Sequence, residues 1–67
     1  MRRFYFHIKR GRVIVLDHEG AELVDLAEAA EEAVRRGGEI VARDPSTSSG
    51  SVIVADNNWQ TLFEVFF

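Results

Sequence analysis

The stretch Arg3-Phe-Tyr-Phe-His-Ile-Lys9 decides the fold, because its side chains alternate with a period of two. In a strand, successive side chains point to opposite faces. One face would therefore carry Phe4 and Phe6, and the other Tyr5 and His7. Aromatic and β-branched residues in this alternation predict a strand that contributes to both faces of a sheet.

The next apolar run predicts a hairpin with this first strand. Gly11 tolerates the positive φ of a tight turn, and Arg12-Val-Ile-Val-Leu16 follows it. With a two-residue turn at Arg10-Gly11, Ile8 is expected to face Val13.

A second hairpin is predicted near the other end of the sequence. Residues 51–56 and 59–67 have strand-like composition, and Asn57-Asn58 between them tolerates a tight turn. In this register Val52 is expected to face Phe63. The Ser/Thr/Gly-rich stretch 46–50 before this hairpin predicts a linker.

A helix is predicted between the two hairpins. Asp25 fits an N-cap, and Glu28 three residues later completes a capping box. The helical pattern continues past Gly37-Gly38, so the helix is expected to end at about Ala42. The predicted buried stripe consists of Leu26, Ala30, Ala33, Val34, Gly37, Ile40 and Val41.

These elements predict one ββαββ domain over residues 1–67. The expected fold class is α+β, with a four-stranded, mostly antiparallel sheet and one helix packed on one face. Because residues 3–9 and 61–67 carry large apolar side chains on both faces, they are expected to form a parallel central pair. Numbered by the four predicted strands, the expected order is 2-1-4-3.

One helix covers only one face of such a sheet. The side chains expected under the helix are Phe4, Phe6, Ile8, Val13, Val15, Val52, Val54, Phe63, Val65 and Phe67. The open face is then apolar at its centre, which is typical of an interaction surface. The candidate interface residues are Tyr5, His7, Ile14, Leu16, Ile53, Leu62 and Phe66.

The leading functional interpretation is a small interaction module. A chain of 67 residues without cysteine cannot be stabilised by disulfides and commonly gains stability by association. The expected partner is a second copy, in a homodimer formed through the open sheet face or an edge strand, or else another protein.

The charge distribution supports an alternative, which is binding of single-stranded nucleic acid or an antitoxin-like role. Five of the eight basic residues and none of the eleven acidic residues lie within residues 1–16. Cationic and aromatic side chains on a strand pair are typical of sheets that stack bases. The acidic pI of about 5.2 argues against this interpretation. The nucleic-acid candidates are Arg3, Tyr5, His7, Lys9 and Arg12.

Catalytic and metal-binding patterns are weak in this sequence. A metal site could combine two histidines with four nearby carboxylates, namely His7, His18, Asp17, Glu19, Glu22 and Asp25. Their spacing matches no calcium loop, and two histidines eleven residues apart match no zinc pattern. We expect Asp25 to cap the helix and Asp17 and Glu19 to close a turn through backbone hydrogen bonds. Nucleophile motifs and glycine-rich phosphate loops are absent. We therefore expect no enzyme activity, no metal and no cofactor.

The longest apolar run has four residues, so no membrane span is expected and a cytoplasmic location is the default.

The sequence resembles a family of short bacterial proteins, frequent in alpha-proteobacteria, that is catalogued as a domain of unknown function. The similarity rests on the opening Arg3-Phe-Tyr-Phe-His-Ile8 and on Asp17-His-Glu-Gly-Ala-Glu-Leu-Val-Asp25, followed by an Ala/Glu-rich helix. Asn57-Asn58-Trp59 departs from the glycine-containing turn usual in that family. The resemblance implies a ββαββ domain and no particular activity.

Overall fold

A computed structural model of the protein describes residues 1–46 and 49–67. Thr47 and Ser48, within the predicted linker, lie outside the described residues. The element order is β1 (Arg2–Arg10), β2 (Val13–Val15), β3 (Ala21–Leu23), α1 (Leu26–Arg43), β4 (Gly50–Ala55) and β5 (Thr61–Phe66). One helix packs on an antiparallel sheet, so the predicted α+β fold is confirmed, with the short β3 added.

The strand order is β2-β1-β4-β5, and every pair is antiparallel. The predicted parallel pairing of residues 3–9 with 61–67 is therefore wrong, because β4 lies between them. The central position of β4 follows from its small and β-branched side chains: Ser51, Val52, Val54 and Ala55 are all buried. Phe66 of the edge strand β5 remains exposed.

The first hairpin turns one residue later than predicted. Ile8 faces Val15 and Arg10 faces Val13, so Gly11 and Arg12 are the two central residues. Gly11 has a φ of +62° and occupies the first central position, as in the type II′ turns that suit hairpins. The pairing consequently shifts by two residues, which leaves each side chain on its predicted face.

The second hairpin also has a different register. Val52 faces Val65 and Val54 faces Phe63, and a β-bulge follows at Val54/Ala55. The bulge moves Leu62 from the predicted open face to the helix side, where it packs against the core.

Helix α1 begins and ends close to the predicted residues. Asp25 has an extended backbone, and its Oδ1 accepts a hydrogen bond from the Glu28 N–H at 2.9 Å. The helix continues through Gly37-Gly38 to Arg43. Gly37 packs closely on Phe67, because a Cβ atom there would lie 3.2 Å from Phe67 Cδ2 and the ring would have to shift by a few tenths of an ångström.

The buried stripe of the helix agrees with the prediction in part, at Ala33 and Gly37. It consists of the small residues Ala29, Ala33 and Gly37, whereas Leu26 and Val34 are 45 % and 60 % exposed. Small residues allow the helix to lie close to the sheet. Leu26 and Val34 are turned outward, whereas Ile40 and Val41 are half-buried. The core cluster takes four fully buried side chains from the sheet, Phe4, Phe6, Val52 and Val54, all on the predicted helix side.

The capping of α1 generates a stability prediction. Replacing Asp25 by Ala is expected to lower the free energy of unfolding by about 1 kcal/mol, because the Glu28 N–H loses its acceptor. Asp25→Ser keeps an acceptor oxygen and should lie close to the parent. Urea unfolding measures both variants, and equal midpoints for Asp25→Ala and the parent would contradict the capping role.

Candidate functional site

An interrupted strand runs along one edge of β1. β2 pairs with residues 8–10 of β1, and β3 pairs with residues 2–4 on the same edge. Residues 16–20 connect β2 to β3 and lie opposite only three residues of β1, namely Tyr5, Phe6 and His7. The connecting segment therefore bulges out of the sheet edge.

The Asp17 carboxylate replaces the missing ladder at this bulge. Its Oδ2 accepts a hydrogen bond from the Phe6 N–H, and its Oδ1 accepts from the N–H groups of Glu19 and Gly20, each at 3.1 Å. The predicted turn-closing role of Asp17 is thus confirmed. In a regular ladder, a carbonyl of the neighbouring strand would accept from the Phe6 N–H. At the bulge the Asp17 carboxylate takes the place of that carbonyl, so the Phe6 N–H is still paired.

Gly20 is required where the bulge rejoins the sheet. Its φ is +70°, and a Cβ atom would lie 2.8 Å from the Phe4 carbonyl oxygen. The Arg3 side chain contacts the bulge and β3. Its Nη1 donates to the Glu19 carbonyl at 2.6 Å, and its Nη2 lies 3.4 Å from the Glu22 carboxylate.

Backbone hydrogen bonds and the charge of Arg36 on α1 together lower the pKa of Asp17. Burial alone would raise the pKa of Asp17, but hydrogen bonds from Gly20, Phe6 and Glu19, with the Arg36 charge at 4.0 Å, outweigh it and lower this pKa. Arg36 also stacks over the Phe6 ring at 4.4 Å.

Arg36 is held in place by a second carboxylate. Its Nε donates to Glu32 at 2.7 Å, and Arg35 donates to the same carboxylate. The hydrogen bond from Arg35, assisted by Arg36, lowers the pKa of Glu32 to about 2 although partial burial opposes the shift. This chain of charges links α1 to the bulge.

On the open sheet face, three rings gather around Trp59. The Trp59 ring stacks on Tyr5 at 4.7 Å and on His7 at 5.4 Å, and His18 approaches it at a tilt. His7 Nδ1 accepts a hydrogen bond from the Asp17 N–H at 3.0 Å, which places the ring proton of neutral His7 on Nε2. The bulge and the aromatic stack are therefore joined.

Trp59 reaches this position through a strained backbone. Its φ of +62° costs about 1–3 kcal/mol for a bulky residue. The Asp56 carboxylate accepts from the Asn58 and Gln60 N–H groups, and the Asp56 carbonyl accepts from the Trp59 N–H. This loop replaces the predicted Asn57-Asn58 turn and places an indole ring over the open face, which the sequence analysis did not foresee.

The most exposed apolar segment of the sheet is β2 and the residue after it. Val13, Ile14, Val15 and Leu16 are 62 %, 51 %, 59 % and 52 % exposed. Val13 and Val15 were predicted to lie under the helix, but α1 packs on β3, β4 and β5 and leaves them uncovered. We call residues 12–16 the β2 edge. A helix about 10 Å wide spans roughly two strand spacings of about 4.8 Å, so one helix could not have covered all four strands.

The predicted interface residues do not form one patch. Tyr5 and His7 lie beneath Trp59, Leu62 faces the core, and Ile14 and Leu16 belong to the β2 edge. Ile53 is half-buried on the open face, and Phe66 is 76 % exposed on the edge strand β5.

The nucleic-acid candidates are partly occupied by contacts within the chain. Trp59 stacks on Tyr5 and His7, and Arg3 contacts Glu19 and Glu22. Lys9 and Arg12 are exposed. The predicted basic and aromatic surface is therefore smaller than the sequence indicated.

The structure describes residues 1–46 and 49–67, which include both histidines. In that part of the chain, no group of three or more His, Asp or Glu side chains could hold a metal ion. No helix within the same residues has the length and apolar content needed to cross a membrane.

The Asp17 bulge generates a prediction on stability and pH. Asp17→Asn replaces one acceptor oxygen by an amide donor, so the free energy of unfolding is expected to fall by about 2 kcal/mol at neutral pH. Folding lowers the pKa of Asp17, so its contribution is full above the unfolded pKa of about 3.9 and is lost as the pH falls through the folded value.

The difference between parent and Asp17→Asn should therefore shrink in acid. Urea unfolding at a series of pH values measures it, with Glu31→Gln on the exposed face of α1 as the matched acid-to-amide control. A difference that is independent of pH would contradict the role assigned to the carboxylate.

Comparison with known proteins identifies the family. Residues 3–67 match the family described as Domain of unknown function (DUF6894). No curated protein and no solved structure matches the chain. The match covers nearly the whole sequence and, like the resemblance of its motifs, carries no assigned activity. The chain belongs to the DUF6894 family of domains of unknown function.

Proposed function

We propose that the protein is a non-enzymatic interaction module that associates with itself through the β2 edge. The observation that carries the proposal is the exposure of four consecutive apolar residues, Val13 to Leu16, each by more than half. Among the strands of the described residues, none pairs with the outer side of β2.

The β2 edge combines unpaired backbone N–H and C=O groups with exposed apolar side chains. Hydrogen-bonded and non-hydrogen-bonded pairs alternate along an antiparallel ladder, so alternate residues of an edge strand turn their N–H and C=O groups outward. The apolar side chains of the same residues project from both faces of the sheet. A second strand added here would satisfy the backbone groups and bury apolar area worth about 25 cal/mol per Å² before the costs of association.

The open sheet face offers less support than the edge. Trp59 covers Tyr5 and His7, which were expected at the centre of that face. Phe66 remains exposed there, but it belongs to β5, at the opposite edge of the sheet from β2. We therefore place the contact on the edge strand.

The remaining parts of the proposal follow the sequence. We propose a single domain over residues 1–67, a cytoplasmic location and no cofactor. Nucleic-acid binding stays a prediction with less support, because Trp59 already stacks on Tyr5 and His7 and Arg3 is engaged by Glu22.

Two valines of equal exposure test the proposal. Val15 on β2 is 59 % exposed and Val34 on α1 is 60 % exposed. Val15→Glu should raise the dissociation constant of the dimer by ~100-fold or more, because the dimer loses two buried valines and gains two charges in the contact. Val34→Glu should leave the constant unchanged. Light scattering and sedimentation over a concentration series measure the masses, and circular dichroism checks the fold.

Ile14→Glu provides a second variant on the opposite face of the same strand and should also give a folded monomer. A parent protein that stays monomeric up to high micromolar concentration would refute self-association. Equal weakening by Val15→Glu and Val34→Glu would refute the β2 edge as the contact.

A further inference from the structure

The β2 edge has unlike charges at its two ends. Arg12 lies at its start, at the tip of the first hairpin, and the bulge with Asp17 and Glu19 follows its end. Within the described residues, the Arg12 side chain makes no ion pair, and Glu19 takes part through its backbone only. Both side chains are exposed.

We propose that the partner of the β2 edge is a second copy of the same edge in antiparallel orientation, with Arg12 of one copy beside Glu19 of the other. The proposal rests on the proposed function and adds the orientation and register of the contact. Antiparallel pairing brings the basic start of each strand to the acidic end of its partner. Parallel pairing would place Arg12 beside Arg12 and Glu19 beside Glu19, so it is disfavoured.

Two-fold symmetry restricts the register. Opposite residues in an antiparallel ladder turn their backbone groups the same way, so a symmetric pair must place one residue opposite itself. The middle residues of the apolar run are Ile14 and Val15. With Val15 on the axis, Ile14 faces Leu16 and Arg12 reaches the segment that contains Glu19. With Ile14 on the axis, Arg12 faces Leu16 instead, so the charges favour Val15.

The bulge fixes the position of the Glu19 backbone beyond the end of β2. Hydrogen bonds from the Glu19 and Gly20 N–H groups to Asp17 fix the turn, and Arg3 holds the Glu19 carbonyl from the other side. The Glu19 backbone is thus anchored while its side chain is exposed. An anchored carboxylate loses less conformational entropy on pairing with an arginine than one on a free loop.

Charge reversal tests the orientation without touching the apolar residues. Arg12→Glu alone and Glu19→Arg alone each place like charges together twice per dimer, so each is expected to weaken self-association by about tenfold. A mixture of the two variants restores both attractive pairs and should form a heterodimer of parental affinity. The double variant Arg12→Glu/Glu19→Arg should also recover. Sedimentation at low and high salt measures all four cases.

The natural absence of cysteine allows a direct test of the register. With Val15 on the axis, the two Val15 Cα atoms would lie about 4.5–5.5 Å apart, within the range of a disulfide. Val15→Cys should therefore yield a disulfide-linked dimer under mild oxidation. Ile14→Cys is the matched control and should not crosslink, because each Ile14 faces Leu16 across the pair.

The outcomes separate this inference from the proposed function. If Val15→Glu dissociates the dimer but the mixed charge variants show no recovery, the β2 edge remains the contact and the proposed orientation is wrong. Crosslinking of Ile14→Cys in place of Val15→Cys would overturn the register. A monomeric parent would overturn self-association itself. Recovery in the mixture together with crosslinking at Val15→Cys would support the antiparallel pair.

Discussion

The structure depends on one carboxylate that accepts three backbone hydrogen bonds. Asp17 takes the N–H of Phe6 from the central strand and the N–H groups of Glu19 and Gly20 from its own turn. Without it, the five residues opposite Tyr5 to His7 would leave a buried strand donor unpaired, at a cost of about 1–3 kcal/mol. The same residue donates its own N–H to His7, which fixes the ring that Trp59 covers. One residue thus links the sheet edge, through its carboxylate, to the open face, through its backbone N–H.

The helix imposes the second constraint, because it is narrow and lies close to the sheet. Ala29, Ala33 and Gly37 form its buried side, and Gly37 contacts Phe67 so closely that a methyl group would press on that ring. This packing seats the helix on β4 and β5 and leaves β2 without cover. The β2 edge, on which our functional proposal rests, is exposed because one helix covers only part of the sheet.

Local signals were predictable from the sequence, and global placement was predictable only in part. The alternation of residues 3–9, the Asp25 cap and the helix through Gly37-Gly38 are all local patterns, and each is confirmed. The registers were wrong by two residues because Gly11 takes the first central position of its turn and because the second hairpin closes through Asp56 and a left-handed Trp59. Of the global placement, the interior position of residues 3–9 is confirmed. The predicted order of the last two strands is wrong, because β4 is central with small side chains and the larger apolar residues of β5 lie at the edge.

The bulge also bears on how far this sheet can grow. An exposed apolar edge strand is a template on which further chains can stack into fibres, and natural proteins interrupt such edges. Here the regular part of the edge ends at Asp17. Its carboxylate accepts the Phe6 N–H of β1 in place of the carbonyl that a longer β2 would provide. An incoming strand therefore finds no regular strand beyond Asp17 to pair with. The interruption protects the chain against amyloid-like stacking while leaving room for one short, finite contact.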